Sequence, residues 1–379
     1  MAPIRVGFIG YGFSVNCFHL PFVLPNPDLQ VYAFLQRAAP PAASDASQTK
    51  PRWGHCTVDF PLAKHYQTPG PFFADDQIDL VVVCSHAHDE LVEQALRAGK
   101  HVVVEKPFVT STAAADRMTT LAKERGKILT VFHNRRFDSD FLTLGHLVKN
   151  DALGEVREAE IHFDLPTPTW ISGWTRKEYS PGEGMAFGLG THTIDQALVL
   201  FGRPSSVTAF LRSNRGVESD VDDTFTIILQ YDRQNLVVTV KTAIVSHVKD
   251  QLKYLVRGTR GSYLKFGFCP QEERAIAAPG KPATDDYGVE DERIWGTLTT
   301  TAEFDASQRF DPASRLYIGK YPSLRGWCRG YYENVVAAIR GEQEVCVKPE
   351  TARDGLRVIE LARLSHERGC TIPWSDNEV

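Results

Sequence analysis

The first third of the chain alternates short apolar strands with helical segments. The pattern predicts strands at 4–10, 30–35, 79–84, 101–104 and 129–133, and helices at 89–98 and 111–125. Apolar strands separated by helices are typical of a parallel sheet that is covered on both faces. We therefore predict an α/β fold whose first domain, 1–134, is a doubly wound Rossmann sheet.

A glycine-rich turn follows the first strand directly. Gly10-Tyr11-Gly12-Phe13-Ser14 supplies two-thirds of a Gly-x-Gly-x-x-Gly pattern, and Val15 replaces the third glycine. Gly10 would make the tight turn, and Gly12 would let the backbone approach a pyrophosphate at the start of the next helix. The turn predicts a dinucleotide site formed by Gly10, Tyr11, Gly12, Phe13 and Ser14. The alternative is a glycine-rich turn without a ligand.

The end of the second strand bears on which dinucleotide is bound. An NAD site usually has a carboxylate there for the ribose 2′-hydroxyl, whereas this strand exits through Gln36-Arg37. An arginine accommodates a 2′-phosphate better, so we predict NADP(H) rather than NAD(H). Arg37 as an ordinary solvated residue is the alternative. Residues 38–54 are rich in Ala, Pro and Ser and predict a surface loop or frayed helix.

A lysine ends the strand at 101–104. Three consecutive valines are followed by Glu105-Lys106-Pro107. Pro107 stops the strand and biases Lys106 toward an extended backbone, at the sheet edge where open α/β folds bind ligands. A lysine positioned and partly desolvated in this way can act as a proton donor. A solvated lysine at a strand end is the alternative.

Composition excludes several functional classes. The formal charge is −5, from 42 basic and 47 acidic residues without a basic block, so nucleic-acid or anionic-membrane binding is not expected. No apolar run reaches bilayer length, and the chain enters a strand at once rather than a secretory signal. Seven scattered cysteines lack zinc spacing, which predicts no metal site and a reducing, cytoplasmic location.

Strands dominate the second half, which we predict to be one α+β domain, 135–379. A helix is expected from 135 to near 150, strands at 156–164, 206–212, 223–231, 236–246, 251–257 and 262–266, and helices at 326–340 and 350–368. Several strands alternate apolar with polar residues. Alternation predicts a sheet with one buried face and one face open to solvent or a partner.

A glycine-rich segment, 182–190, leads to His192, which would begin a helix. Glycines let the backbone pass close to a ligand, and a histidine there can exchange a proton with a substrate hydroxyl. A structural histidine bonded by its neighbours is the alternative.

Four motifs in order and spacing resemble the glucose-fructose oxidoreductase / inositol dehydrogenase / rhizopine-catabolism (Gfo/Idh/MocA) family over nearly the whole chain. They are Gly10-Tyr11-Gly12 with Phe18-His19-x-Pro21, Ala98-Gly99-Lys100-His101 through Glu105-Lys106-Pro107, His133-Asn134-Arg135-Arg136-Phe137-Asp138-x-Asp140-Phe141, and Leu189-Gly190-x-His192-x-Ile194-Asp195-Gln196-Ala197-Leu198. The first and third resemble the branch of NADP-dependent scyllo-inositol dehydrogenases and their fungal relatives.

The resemblance implies a Rossmann domain followed by an open, mainly antiparallel sheet whose free face commonly serves a homodimer or higher homo-oligomer. It implies a nicotinamide over the Glu105-Lys106-Pro107 strand end, with Lys106 and His192 as the catalytic pair. Asn134 and Arg136 would flank the cofactor or substrate pocket.

Two departures from the family pattern matter. The family usually has an aspartate four residues before the histidine, where this chain has Gly188. Asp164, Glu183 and Asp195 are the candidates to replace it. The family's Thr-Pro turn after the fourth strand is replaced by Ser85-His86-Ala87-His88, which predicts Ser85, His86 and His88 at the cofactor edge.

These features predict an NADP(H)-dependent oxidoreductase that moves hydride to or from a carbonyl or hydroxyl carbon of a small polar substrate, such as a sugar, inositol or related polyol or ketone. Candidate substrate-lining residues are Lys106, Asn134, Trp170, Trp174, Arg176, Tyr179 and His192. The missing aspartate leaves open an imine or conjugated-ketone reductase of secondary metabolism. A non-catalytic dinucleotide-binding regulator, like the yeast galactose repressor, also stays open, although the presence of both Lys106 and His192 argues against it.

Overall fold

A computed structural model describes residues 1–41, 53–85 and 88–375 of the chain. Its first half contains a parallel sheet with the strand order β3-β2-β1-β4-β5-β6. The strands are β1 (Ile4–Ile9), β2 (Leu29–Leu35), β3 (Lys64–Tyr66), β4 (Leu80–Val83), β5 (His101–Val104) and β6 (Leu129–Val131). The order reverses between β1 and β4, which creates a crevice at the carboxyl ends of these strands.

Helices connect the strands of this sheet; those at 89–98 and 111–125 were predicted, whereas the strand β3 and the helices at 56–59 and 69–74 were not. The helices are α1 (Leu20–Val23), α2 (Cys56–Asp59), α3 (Pro69–Ala74), α4 (His88–Arg97) and α5 (Thr112–Glu124). A π-helical turn, Val15–His19, precedes α1, and Ser111 caps α5 by accepting from the amide of Ala114 at 3.2 Å. The doubly wound Rossmann prediction is confirmed.

The second half forms a larger, mainly antiparallel sheet with the order β14-β15-β13-β12-β11-β7-β10-β9-β8-β16. Its strands are β7 (Val156–His162), β8 (Ser206–Arg212), β9 (Thr224–Tyr231), β10 (Leu236–Thr242), β11 (Leu252–Gly258), β12 (Gly261–Phe266), β13 (Thr297–Thr300), β14 (Arg309–Asp311), β15 (Leu316–Lys320) and β16 (Ile372–Pro373). Only β7 and β10 pair in parallel among these strands. The predicted open, mainly antiparallel sheet is therefore confirmed.

Helices of the second half cover one face of this sheet and return to the first. They are α6 (Ser139–Lys149), α7 (Thr191–Phe201), α8 (Gln271–Ala277), α9 (Arg329–Ile339) and α10 (Pro349–Arg368). α10 packs against both α5 and β8. Glu360 accepts from the amide and hydroxyl of Thr112, which ties the two halves together. The predicted division at residue 134 thus separates two sheets that share helical packing.

Several local predictions were wrong in their bounds. The helix expected from residue 135 starts with a 3-10 turn, Asn134–Phe137, before α6 begins. The strand expected to reach residue 246 ends at Thr242, because the amide of Ala243 donates to Asp164 Oδ1 instead of continuing the ladder. Strands β13 to β15 were missed, since segments of three to five residues are too short to show a clear alternation.

Part of the loop predicted at 38–54 lies outside the described residues, as residues 42–52 are not among them. In the part of the chain that is described, no helix combines the length and apolarity that crossing a bilayer requires.

Candidate active site

The glycine turn after β1 has the geometry that a bound pyrophosphate needs. Gly10 adopts φ +102°, and its amide donates to Leu35 O at 2.9 Å. A Cβ placed on Gly12 would meet no heavy atom within 4 Å, so the backbone there is open to a ligand. Asn16 fixes the turn by donating from Nδ2 to Gly12 O at 2.9 Å. The turn therefore fits a dinucleotide even though Val15 replaces the third glycine.

Tyr11 and Arg37 lie on either side of the end of β2. The Tyr11 side chain is buried, and its hydroxyl donates to Asp59 Oδ2 at 2.9 Å, so only its backbone faces the turn. Arg37 is exposed just beyond β2. A contact between Arg37 and a 2′-phosphate stays a prediction.

Glu105, the residue before the lysine, forms a buried chain of hydrogen bonds. Its Oε2 accepts from the amide of Lys106 at 3.0 Å, and its Oε1 lies 3.1 Å from His19 Nε2. His19 Nδ1 in turn lies 2.6 Å from the hydroxyl of Tyr332 on α9. Burial alone would raise the pKa of Glu105, but hydrogen bonding and the charge of the His19 ring hold it below its usual value. Glu105 therefore anchors the backbone that presents Lys106.

The Lys106 side chain is partly buried in the crevice. Its Nζ donates to Gly188 O at 3.1 Å, and the Lys106–Pro107 peptide is cis. Gly188 belongs to a π-helical turn, Ala186–Gly190, that runs into α7. Both π-helical turns of the described chain thus border this crevice, and such turns occur frequently at functional sites.

A cavity of about 530 Å³ occupies the crevice next to Lys106. The predicted site residues Phe13, Ser14, Ser85, His88, Glu105 and Lys106 all line it. Phe18, Cys84, Pro107, Val109, Thr110, Pro181, Gly182 and Glu183 complete the wall. His88 Nδ1 also lies 2.7 Å from Pro107 O, which ties α4 to the lysine turn. His86 lies outside the described residues.

His192 lies at the start of α7, four residues after the carbonyl that binds Lys106. Its ring is buried, and Nδ1 has no hydrogen-bond partner within the described structure. Burial, and then the nearby Lys106 ammonium, lower the pKa of His192 well below its ordinary value. The imidazole is therefore neutral at neutral pH and can accept a hydrogen bond, although it lies behind the residues that line the cavity.

The structure distinguishes among the three acids that might replace the family aspartate. Asp195 accepts two hydrogen bonds from Arg136, at 2.8 and 2.6 Å. Asp164 is occupied by His162 at 3.0 Å and by the amide of Ala243 at 2.7 Å. Glu183 alone of the three lines the cavity with Lys106. Arg136, predicted to flank the cofactor, has its guanidinium committed to Asp195 and Cys346 O.

The other predicted pocket residues do not line this cavity. Asn134 is half-buried in the 3-10 turn before α6. The rings of Trp170 and Trp174 contact each other at a tilt of 49°, with centroids 5.6 Å apart, and Arg176 pairs with Glu183. Tyr179 packs beneath Arg363, whose guanidinium carbon lies 3.2 Å from the ring centroid. Of this group, Arg176 contacts the cavity wall through Glu183, and Tyr179 lines a neighbouring pocket with the wall residues Thr110 and Pro181.

Sequence reasoning assigned no role in the site to two histidines or to part of the cavity wall. His19 was noted only within a motif, yet its ring holds Glu105. His133 is buried beside His192, with ring centroids 6.3 Å apart, and burial lowers its pKa. Thr110, Pro181 and Gly182 also form part of the cavity. The glycine-rich run at 182–190 was the one signal that the chain passes close to a ligand there.

Fold and site together define the class: a crevice with an open glycine turn and an anchored lysine belongs to a dinucleotide-binding oxidoreductase. The chain is a member of the Gfo/Idh/MocA family. Residues 4–133 match the model of the oxidoreductase family with an NAD-binding Rossmann fold, and residues 141–264 match the Gfo/Idh/MocA C-terminal domain. The resemblance inferred from the motifs is confirmed.

Three relatives illustrate the similarity. An uncharacterized oxidoreductase of Schizosaccharomyces pombe is 37% identical, covering 99% of this chain and 100% of its own. A scyllo-inositol 2-dehydrogenase (NADP(+)) of Bacillus subtilis is 29% identical, covering 96% and 93%. The crystal structure of an oxidoreductase from Bacillus cereus, 27% identical, superposes with a TM-score of 0.82 over 99% of this chain and 100% of that one.

Proposed function

We propose that this protein is an NADP(H)-dependent oxidoreductase acting on a hydroxyl or carbonyl carbon of a small polar molecule, such as a sugar, an inositol or a related polyol or ketone. The observation that carries the proposal is the partly buried Lys106 ammonium, which shares one cavity with Ser14 of the glycine turn and with Glu183. A bound nicotinamide would supply or accept the hydride, and the residues of this chain would handle the proton.

Lys106 is the proposed acid and base. Its amide is fixed by Glu105, and its ammonium is directed by Gly188 O, so the proton donor has one preferred position. A substrate oxygen that displaces the Gly188 carbonyl would receive a hydrogen bond from the same ammonium. Fixed donors of this kind contribute about 10²–10⁴-fold to proton-transfer rates.

His192 and Glu183 are the proposed partners of Lys106. The neutral His192 ring can accept from a substrate hydroxyl and hold it near the lysine. Glu183, which pairs with Arg176, supplies a carboxylate to the wall of the same cavity, whereas the family pattern would place an aspartate at residue 188. Glu183 lies before the π-helical turn, so its carboxylate reaches the cavity from the 181–183 segment, whereas the family aspartate would reach it from residue 188 within that turn.

The preference for NADP(H) rests on Arg37 and on the absence of a carboxylate at the end of β2. The similarity to an NADP(+)-dependent scyllo-inositol dehydrogenase supports the same choice and favours inositols among the candidate substrates. We therefore propose NADP(H) as the cofactor and an inositol as the first substrate to test.

A substrate panel read at the NADPH absorbance tests the proposal. The panel contains sugars, inositols, ketones and imines, and each compound is tested with NADP(H) and with NAD(H). Turnover of the best substrate is then measured with Lys106→Met. We expect turnover with a polyol or ketone, and a loss of about 10³-fold in kcat for the variant, because the proton donor is removed. NADPH binding, measured by fluorescence titration, should stay within a few-fold of wild type.

Lys123→Met is the matched control, since Lys123 is an exposed lysine on α5 that pairs with Glu350 at 2.7 Å. Its turnover should equal that of wild type. Full activity in Lys106→Met would refute the proposed role. Tight NADPH binding without turnover on any substrate would favour the regulator, and turnover confined to imines would favour the imine reductase.

A further inference from the structure

Three potential metal ligands meet beside the end of β2, away from the Lys106 cavity. They are His55, Cys56 and His65, and one donor atom from each lies within 4.8 Å of the other two. His55 and Cys56 are buried just before and at the start of α2, and His65 is half-buried on β3. Two imidazoles and a thiol form a mixed nitrogen and sulfur donor set, which suits a borderline ion such as zinc.

The outer ring nitrogens of both histidines already contact backbone carbonyls. His55 Nε2 lies 3.2 Å from Ala38 O, and His65 Nε2 lies 2.8 Å from Gln36 O. Histidines that ligate metals almost always donate their second ring N–H to such an acceptor, which fixes the tautomer and leaves the other nitrogen free to bind. In both rings the arrangement leaves Nδ1 as the nitrogen with a lone pair.

The three donor atoms are nearly as close together as donors around a bound zinc ion. With bond lengths of about 2.0–2.3 Å, tetrahedral donors lie roughly 3.5 Å apart, so the donor atoms would have to move by about 1 Å to bind the ion. His55 Nδ1 now lies 2.8 Å from the hydroxyl of Thr57 and accepts from its amide at 3.3 Å. An ion on Nδ1 would displace both the hydroxyl and the amide N–H of Thr57, so metal binding would replace the hydrogen bond by which His55 caps α2.

We propose that His55, Cys56 and His65 bind a zinc-class divalent ion, with water in the fourth position. The ion would also stiffen the segment that carries Arg37, because the two imidazoles hold the carbonyls of Gln36 and Ala38 on either side of it. This second consequence rests on the proposed NADP(H) site, whereas the metal site itself does not.

Metal content and cobalt spectroscopy test the site directly. The reduced full-length protein, without an affinity tag, is equilibrated with Zn²⁺ or Co²⁺ and desalted. We expect about one ion per chain, and for Co²⁺ a near-ultraviolet thiolate charge-transfer band. Cys56→Ser should abolish the band and weaken Zn²⁺ binding at least 10-fold, because the thiolate is lost. Cys370→Ser, which removes an exposed thiol, is the matched control and should keep both.

His65→Gln gives a second, independent variant on the neighbouring strand should Cys56→Ser fail to fold by circular dichroism. Absence of bound metal in wild type, or a thiolate band that persists in Cys56→Ser, would overturn the site. Zinc removal should weaken NADPH binding several-fold in a fluorescence titration. If the metal binds but the metal-loaded and metal-free proteins bind NADPH with equal affinity, the link to Arg37 is overturned. That result would leave the proposed role of Lys106 in proton transfer untouched.

Discussion

At the scale of single residues, the site depends on how firmly Lys106 is held. Its amide is bound by the buried Glu105 carboxylate, and its ammonium is bound by Gly188 O, 82 positions away in the chain. The sequence predicted the stiff strand end from three valines and Pro107. It did not predict that His19 and Tyr332 complete the support, because those residues are distant in the chain and meet only in the folded protein.

Glu183 gives the first prediction at this scale. Glu183→Gln keeps the shape of the side chain but removes the carboxylate from the cavity wall. We expect kcat/KM on the identified substrate to fall about 10²-fold, because a charged acceptor opposite Lys106 is lost. Glu178→Gln, an exposed glutamate five residues earlier, is the control. Equal kcat/KM in the two variants would contradict a role for Glu183.

His101 gives a prediction about pH and stability. Burial, followed by the charge of Lys127, lowers the pKa of His101 to about 4. Its Nδ1 accepts from the amide of Ile128 at 3.0 Å. Between pH 6.5 and 4 the unfolded chain protonates this ring and the folded chain does not, so the free energy of unfolding falls as the pH falls.

His101→Asn keeps an acceptor for Ile128 and removes the titrating ring. From pH 7 to pH 5 the variant should lose about 2 kcal/mol less unfolding free energy than wild type, since one pKa unit corresponds to about 1.4 kcal/mol. Urea unfolding at the two pH values measures the difference. His247→Asn replaces an exposed histidine, and its unfolding free energy should change with pH as that of wild type does. The same pH dependence in His101→Asn as in wild type would refute the role of the His101 ring.

At the scale of elements, the segment between β7 and the 186–190 turn carries one wall of the cavity but has little regular structure of its own. Arg215 holds it in place. Its Nε donates to Trp174 O at 2.9 Å, its Nη2 to Arg176 O at 3.2 Å and its Nη1 to Asp223 at 2.9 Å. Trp174 and Arg176 thus anchor the segment through their carbonyls, and the predicted lining role of their side chains stays a prediction.

Arg215→Met tests this anchor. The Arg215 and Asp223 side chains are 1% and 0% exposed, so the variant leaves an unpaired buried carboxylate and should cost about 3–5 kcal/mol of unfolding free energy. Arg257→Met is the control, because the Arg257–Glu158 pair, at 2.7 Å, is 56% and 43% exposed and is worth at most about 1 kcal/mol. Urea unfolding compares the two. Similar losses of unfolding free energy in Arg215→Met and Arg257→Met would contradict the anchoring role of Arg215.

At the scale of the whole molecule, the second sheet exposes apolar side chains on one face within the described part of the chain. Helix α10 packs against β8, whose Val207, Ala209 and Leu211 are buried, while Phe210 between them is exposed. Phe210 pairs with Thr226, which pairs with Lys241 across β9 and β10, and Val237 is exposed further along β10. We propose that this face joins two copies of the chain, as the family resemblance implies.

Phe210→Asp tests the proposed homodimer. A charge within the proposed interface would disfavour association, so the mass measured by light scattering after gel filtration should fall toward that of one chain, 42.3 kDa. Leu62→Asp changes an apolar side chain that is fully exposed on the first half and should leave the mass unchanged. An unaltered assembly in Phe210→Asp would refute this interface.

The sequence by itself determined the strand and helix order of the first half, the open turn at Gly10 and Gly12, and the presentation of Lys106. These features depend on periodicity and on the backbone preferences of glycine and proline, which act over a few residues. The tertiary structure decided which acid faces the lysine. By residue type alone, Asp164, Glu183 and Asp195 are equal candidates. The fold binds Asp164 to the amide of Ala243 and Asp195 to Arg136, contacts that join distant parts of the chain. It places Glu183, paired with Arg176, on the cavity wall.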